Sequence, residues 1–233
     1  MKKAIEIIDS VAEKSESVIL FHSASGKDSI ALLDLLYPRF KRVVCVFMYM
    51  VKDLRHINRY IAYAQKKYAT VEFMQIPHYD LFNYIKLRYM GISQDEKIKQ
   101  YSLYELTEKV RAITEIEWAC FGFKQADGLN RRLMLRTYPQ EAINEKTKKF
   151  YPLSSYKNED VLKYIEENKL IRPELFGKYR SNGAAVNDIN YLLYLRENYP
   201  DDLRKTINTF PMCERLLFEH DYKKQHEYEI STV

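Results

Sequence analysis

The chain has 233 residues, a formal net charge of +5, 46% hydrophobic and 30% charged residues. That is length enough for one α/β domain with a substantial core and a small appendage, and it excludes a disordered or fibrous chain. No apolar run approaches the roughly 18 residues of a transmembrane helix, and the charge is too mild to argue for nucleic acid, though it suits an anionic ligand.

In chain order, apolar residues recur at helical spacing over 3–14, with Ile5, Ile8 and Ala12 on one stripe. A β-branched run predicts a strand at 17–22, followed by a turn and a helix to about Tyr37. The apolar run 42–50 reads as a strand covered on both faces. A helix follows at 55–68 with Ile57, Ile61 and Ala64 inward, then a strand at 71–76 closed by Pro77. Helices are expected at 80–90 and 102–114, a fourth strand at 117–123, a short strand near 149–153 and a helix over 158–168. Beyond 172 the pattern is helical only, at 188–198, 201–208 and 212–223. Alternating strands and helices imply an α/β fold: a doubly wound, mainly parallel sheet of about five strands, Rossmann-like, with a helical C-terminal extension. The expected division is 1–171 for the α/β domain and 172–233 for the extension packed on it.

The turn Ser23-Ala24-Ser25-Gly26-Lys27-Asp28-Ser29 stands where the first strand becomes a helix. Amides at a helix N-terminus lack intrahelical partners and carry partial positive charge, so such a turn suits an anion, above all phosphate. Gly26 permits close approach, Ser23, Ser25 and Ser29 offer hydroxyls, and Lys27 a full charge. The mononucleotide pattern GxxxxGK[ST] is not met, since Phe21 stands for the first Gly and Asp28 follows Lys27. Ligands in doubly wound sheets bind beyond the carboxyl ends of the strands, which groups this turn with Met48–Val51 and Gly122–Asp127. The segment from Gly122 to Arg132, with Lys124, Arg131 and Arg132, reads as a basic loop able to clamp an anion. His22 and His78 adjoin the same crevice. Cys45 and Cys120 lie in central strands and read as core. The three cysteines form neither a disulfide framework nor a Cys-x-x-Cys site, and the N-terminus does not resemble a secretion signal, so a cytoplasmic chain is expected.

The turn resembles the pyrophosphate loop SGGxDS of the adenine nucleotide alpha-hydrolase (PP-loop) families, with Ala24 for Ser and Ser25 for the first Gly. Three further segments resemble the phosphoadenosine phosphosulfate (PAPS) reductase family. Lys124 and Asp127 stand at the positions of its Gly-x-Arg and following acid, with Arg131 and Arg132 beyond. Tyr151-Pro152-Leu153-Ser154-Ser155-Tyr156 with Asp160-Val161-Leu162-Lys163-Tyr164-Ile165 is similar to its Pro-Leu-x-x-Trp-x-x-x-Asp-Val-x-x-Tyr-Ile. Tyr179-Arg180-Ser181-Asn182-Gly183 is similar to its Tyr-Arg-Ser-x-Gly. Two features of that family are missing. Tyr49-Met50-Val51 replaces Asp-Thr-Gly after the second strand, and no Glu-Cys-Gly-x-His segment occurs, leaving Cys213 beside Arg215 as the one candidate nucleophile.

The resemblance implies binding of ATP or PAPS with Mg²⁺ held by Asp28, catalytic roles for Lys27 and Asp28, and adenine read at Met48 and Met50, with Gly122 also in the nucleotide site. Lys124, Arg131 and Arg132 would hold the second substrate or the phosphates. The number and spacing of the cysteines predict no iron–sulfur cluster. Three activities stay open: cleavage of the α–β phosphoanhydride to adenylylate an acceptor, thiol-dependent PAPS reduction, and nucleotide sensing in a nucleic-acid modification or defence complex. The expected partners are an adenine nucleotide and an unidentified acceptor. A protein partner, a homodimer or nucleic acid is compatible, and no membrane is expected.

Overall fold

The architecture was obtained as a computed structural model, which describes residues 1–174 and 186–231, with side chains to 226. The Tyr-Arg-Ser-x-Gly segment, within 179–183, lies outside the described residues. The chain forms two units. The first comprises Met1–Met48, Arg59–Ile76 and Ser102–Glu174; the second comprises Tyr49–Asn58, Pro77–Tyr101 and Leu175–Val233.

Strand β1 (Ser17–Phe21) is central in a six-stranded sheet of order β3-β2-β1-β4-β6-β5. Its neighbours are β2 (Arg42–Tyr49) and β4 (Ala119–Cys120), both parallel to it. Strand β3 (Val71–Pro77) lies beyond β2. On the other side β6 (Lys149–Phe150) runs parallel to β4, and β5 (Ile143–Asn144) closes the edge antiparallel to β6. The mainly parallel, doubly wound sheet therefore holds, with one strand more than expected, because the chain doubles back at 143–150 to make a short hairpin. The fourth strand is regular only at its centre. Its flanks still bond to neighbours, Ile19 N–H to the Trp118 carbonyl and Phe121 N–H to that of Phe150.

Alternation along the strands divides the core. Ile19 and Phe21, Val44 and Val46, and Ala119 and Phe121 share one cluster with Val110, Ile116, Leu135 and Tyr151. Helix α5 (Leu103–Thr114) supplies Val110 and α6 (Leu129–Arg136) supplies Leu135. Helix α2 (Lys27–Leu36) is buried nearly all round, from Ile30 to Leu36 apart from Asp34. That carboxylate is clasped by two hydroxyls, Tyr68 and Tyr164, each at 2.7 Å. Tyr164 belongs to α7 (Asn158–Glu167), so the Asp-Val-x-x-Tyr-Ile segment serves to pin α7 to α2. Helix α1 (Lys2–Ala12) buries Ala4, Ile7, Ile8 and Val11, a stripe rotated from the Ile5–Ile8–Ala12 expected, because Ile7 and Val11 out-compete the smaller Ala12 for the core.

Helix α3 (Arg55–Lys67) buries Ile57, Tyr60, Ile61 and Ala64. In the second unit α4 (Tyr79–Leu87) ends one turn earlier than its pattern, at Arg88, which takes a left-handed conformation (φ 53°). Helices α8 (Ile189–Asn198), α9 (Pro200–Thr209) and α10 (Met212–Ser231) bury Leu192, Leu195, Leu203 and Leu217, and Phe210 is enclosed just before α10. No helix among the described residues is long and apolar enough to cross a membrane.

Candidate nucleotide site

The turn after β1 is built by short hydrogen bonds of its own residues. Ser23 N–H donates to Ser29 Oγ at 2.8 Å, and the two hydroxyls lie 3.0 Å apart. Ala24 N–H donates to His22 Nδ1 at 2.9 Å, which holds Ala24 in the left-handed region (φ 52°). Because Nδ1 accepts, the neutral ring carries its proton on Nε2. Burial forces that neutrality, lowering the His22 pKa to about 3. Gly26 has an ordinary φ of −76°, so its requirement is for space: a Cβ there would stand 2.1 Å from Ser23 Oγ. Gly26 offers no side-chain cap, so the first amides of α2 have no intrahelical acceptor.

At the far end of β4 the chain passes against this turn. A Cβ on Gly122 would come 3.0 Å from the Asp28 Cβ, so the glycine lets the two segments touch without displacing Asp28. The contact delivers Lys124, 1% exposed, whose Nζ lies 2.6 Å from Asp28 Oδ2 and 3.3 Å from Asp127 Oδ1. Lys27 Nζ stands 3.4 Å from the same Asp28 oxygen. Asp127 Oδ2 accepts from Lys124 N–H at 2.9 Å and from Arg131 at 2.7 Å. Desolvation opposes its ionisation, but the Lys124 amide and ammonium and the Arg131 guanidinium outweigh it and hold its carboxyl below the usual range. Three cations thus alternate with two carboxylates. Asp28 Oδ1 is buried with no hydrogen-bond partner among the described residues.

The segment expected as a basic loop is instead a 3-10 turn at Gln125–Asp127 followed by α6. Asp127 and Arg131, four apart, form an ion pair across its first turn, a signal present in the sequence. Ser154, in the Pro-Leu-Ser-Ser segment, latches the turn from below: its carbonyl accepts from Gln125 N–H at 2.8 Å and its hydroxyl donates to the Glu141 carbonyl at 2.6 Å.

The site residues expected from the sequence fare differently. The first unit brings together Ser23, Gly26, Lys27, Asp28, Ser29, Gly122, Lys124 and Arg131. Ser25 is fully buried in the same turn. Arg132 is exposed on α6, its Nε 3.4 Å from the Gln125 carbonyl. Met48 packs at the margin of the sheet core, and Met50 is buried in the second unit. Lys124, expected to meet an anion, has its ammonium enclosed and engaged by two carboxylates. The Mg²⁺ expected on Asp28 meets an oxygen already held by Lys124, and no group of three or more His, Cys, Asp or Glu among the described residues could hold a metal ion. Cys213, the candidate nucleophile, is enclosed. Its thiol is fully buried in the second unit, donates to the Val186 carbonyl at 3.2 Å, and is pushed up to about 11 by burial. A reactive thiolate needs the opposite environment.

His56 escaped sequence reading. It is fully buried, with Nδ1 2.8 Å from Asp202 Oδ2 and Nε2 3.4 Å from the Tyr191 hydroxyl. Asp202 also accepts the amides of Arg55 and His56, at 2.8 and 2.9 Å, and so caps α3 from a distant helix. No local pattern announces a cap supplied from so far along the chain.

A mainly parallel sheet whose central strand runs into a glycine-containing turn and a helix N-terminus defines the doubly wound α/β class. Within that class the chain belongs to the phosphoadenosine phosphosulfate reductase domain family, whose profile matches residues 18–188. No curated protein matches the sequence. Among solved structures the chain is similar to the U34-tRNA thiolase NcsA from Methanococcus maripaludis, at 16% identity and a TM-score of 0.46, over 92% of this chain and 78% of that one. It is also similar to the NH3-dependent NAD synthetase from Campylobacter jejuni subsp. jejuni NCTC 11168, solved with nitrate, at 12% identity and a TM-score of 0.46, over 96% and 94% of the two chains. The NcsA structure carries its [4Fe-4S] cluster. The expectation of no iron–sulfur cluster in this chain rested on the number and spacing of its own cysteines, and it stands against a neighbour that carries one.

Proposed function

We propose that the chain binds an adenine nucleotide at the β1–α2 turn and cleaves its α–β phosphoanhydride, transferring the adenylyl group to an acceptor, with sulfur transfer as one use. The observation that carries this reading is the turn itself. Gly26 is closed against Ser23, the first amides of α2 have no intrahelical acceptor, and Lys27 stands at the first helical position. Amides and ammonium aimed at a leaving pyrophosphate stabilise the charge that develops on it, the main source of rate in such chemistry. Residues 1–171 would form the nucleotide domain and 172–233 its helical extension. Thiol-dependent reduction by Cys213 is disfavoured by that residue's burial.

The test is thermal denaturation with ATP, PAPS, AMP and GTP. A ligand at about a hundred times its Kd adds roughly 2.7 kcal/mol, which for a chain of this size raises Tm by roughly 5–10 °C. ATP is expected to give that shift and Lys27→Ala to abolish it with little change in the ligand-free Tm. Asp28→Ala is expected to lower the ligand-free Tm further, because it leaves buried Lys124 with Asp127 alone. An ATP shift unchanged in Lys27→Ala would remove the turn from the site. A larger shift with PAPS than with ATP would favour a sulfonucleotide substrate, and ATP binding without pyrophosphate release would favour a sensing role.

A further inference from the structure

The chain of charges that crosses from α2 to α6 borders the same site, and a role for it there rests on the nucleotide reading. Asp127 is held from two directions. Lys124 gives it a backbone amide at 2.9 Å and an ammonium at 3.3 Å, and that ammonium is itself anchored on Asp28 at 2.6 Å. Asp127 also takes an N–H of Arg131 at 2.7 Å. The Arg131 guanidinium lies 4.0 Å from the centroid of Phe123, whose ring stacks on Tyr151 at 5.8 Å and 20°. A carboxylate at its edge and a ring at its face fix a side chain that is 44% exposed. An exposed arginine ordinarily samples many rotamers, and ordering one at the moment of binding costs affinity. Here that ordering is already done, and a guanidinium has five N–H donors, so engaging Asp127 leaves others able to meet an anion.

We propose that Asp127, clamped by buried Lys124, is a positioning residue that presents Arg131 to the phosphates of the nucleotide bound at the β1–α2 turn. Two physical accounts of Asp127 give opposite signs for one substitution. If Asp127 merely adds negative charge near an anion site, removing the charge tightens anion binding. If Asp127 positions Arg131, removing the charge loosens it.

The experiment is isothermal titration of ATP into the full chain carrying Asp127→Asn, Arg131→Ala, or both. Asp127→Asn is near-isosteric and keeps an acceptor for the Lys124 amide, so it preserves the fold better than Lys124→Met. Asp127→Asn is expected to weaken ATP about tenfold, Arg131→Ala to do the same, and the double variant to be no weaker than either alone. Unchanged or tighter binding in Asp127→Asn, or multiplied losses in the double variant, would overturn the proposal. A ligand-free readout separates this from failure of the nucleotide reading. Slowed rotation of the Arg131 guanidinium, seen as distinct Nη–H signals by nuclear magnetic resonance, is expected in the parent and lost in Asp127→Asn. Averaged signals in the parent would overturn the positioning role, and a parent that binds no ATP would overturn both readings.

Discussion

Replacing His22 with asparagine tests how the turn is held. The imidazole is 3% exposed and its pKa is lowered from 6.5 to about 3 by burial. In the unfolded chain it titrates near 6.5. A depressed folded pKa means that the contribution is full above pH 6.5 and is lost as pH falls, because the unfolded state takes up the proton first. At pH 5 the unfolded imidazole is favoured by protonation over about 1.5 pH units, or about 2 kcal/mol at 1.36 kcal/mol per unit. Near pH 3 the loss approaches about 5 kcal/mol. In His22→Asn the new amide would place its Oδ1 where Nδ1 accepts from Ala24 N–H, keeping the left-handed Ala24 but carrying no titratable group. His78, also lowered by burial, titrates in both proteins and cancels in the comparison. Urea denaturation at pH 7 and pH 5 is the assay. The parent chain is expected to lose about 2 kcal/mol more than His22→Asn between those values. Parallel losses in the two proteins would refute the picture of an enclosed, uncharged imidazole bracing the turn.

Gly26→Ala places a Cβ 2.1 Å from Ser23 Oγ and must break the Ser23–Ser29 contact. It is expected to cost about 1–3 kcal/mol and to remove the ATP-dependent rise in Tm, and adding Ser23→Ala should restore part of the stability. Asp202→Ala removes the partner of His56 and the cap of α3 together. Calorimetry should show a loss of about 3–5 kcal/mol. The Asp202 carboxyl stays low because the His56 and Arg55 amides and the His56 ring outweigh its desolvation. The stability it supplies is therefore expected to persist above about pH 3.9, the unfolded value, and to fall below it. Cys213→Ser should leave nucleotide binding unchanged and cost about 1–2 kcal/mol; loss of binding with an unaltered melting curve would restore a role for the thiol.

Local patterns were enough to define the first three strands, the helix after Ser23-Ala24-Ser25-Gly26, and the family to which the turn belongs. A β-branched run, an apolar period and a glycine act on their near neighbours, so residues 17–36 declare their own conformation. The same reasoning is silent wherever a residue's partner lies far along the chain. Lys124 reads as part of an anion-clamping loop, and only the sheet, by placing β4 beside β1 and Gly122 against Asp28, encloses its ammonium between two carboxylates. Cys213 beside Arg215 looks reactive until helix packing buries the thiol against the Val186 carbonyl. His56 and Asp202 carry no mutual signal at a separation of 146 residues. Sequence specifies which groups are available, since backbone preference and apolar period are short-range. Which charges are spent on one another, and which stay free for a ligand, is decided only when the strands come together and exclude water.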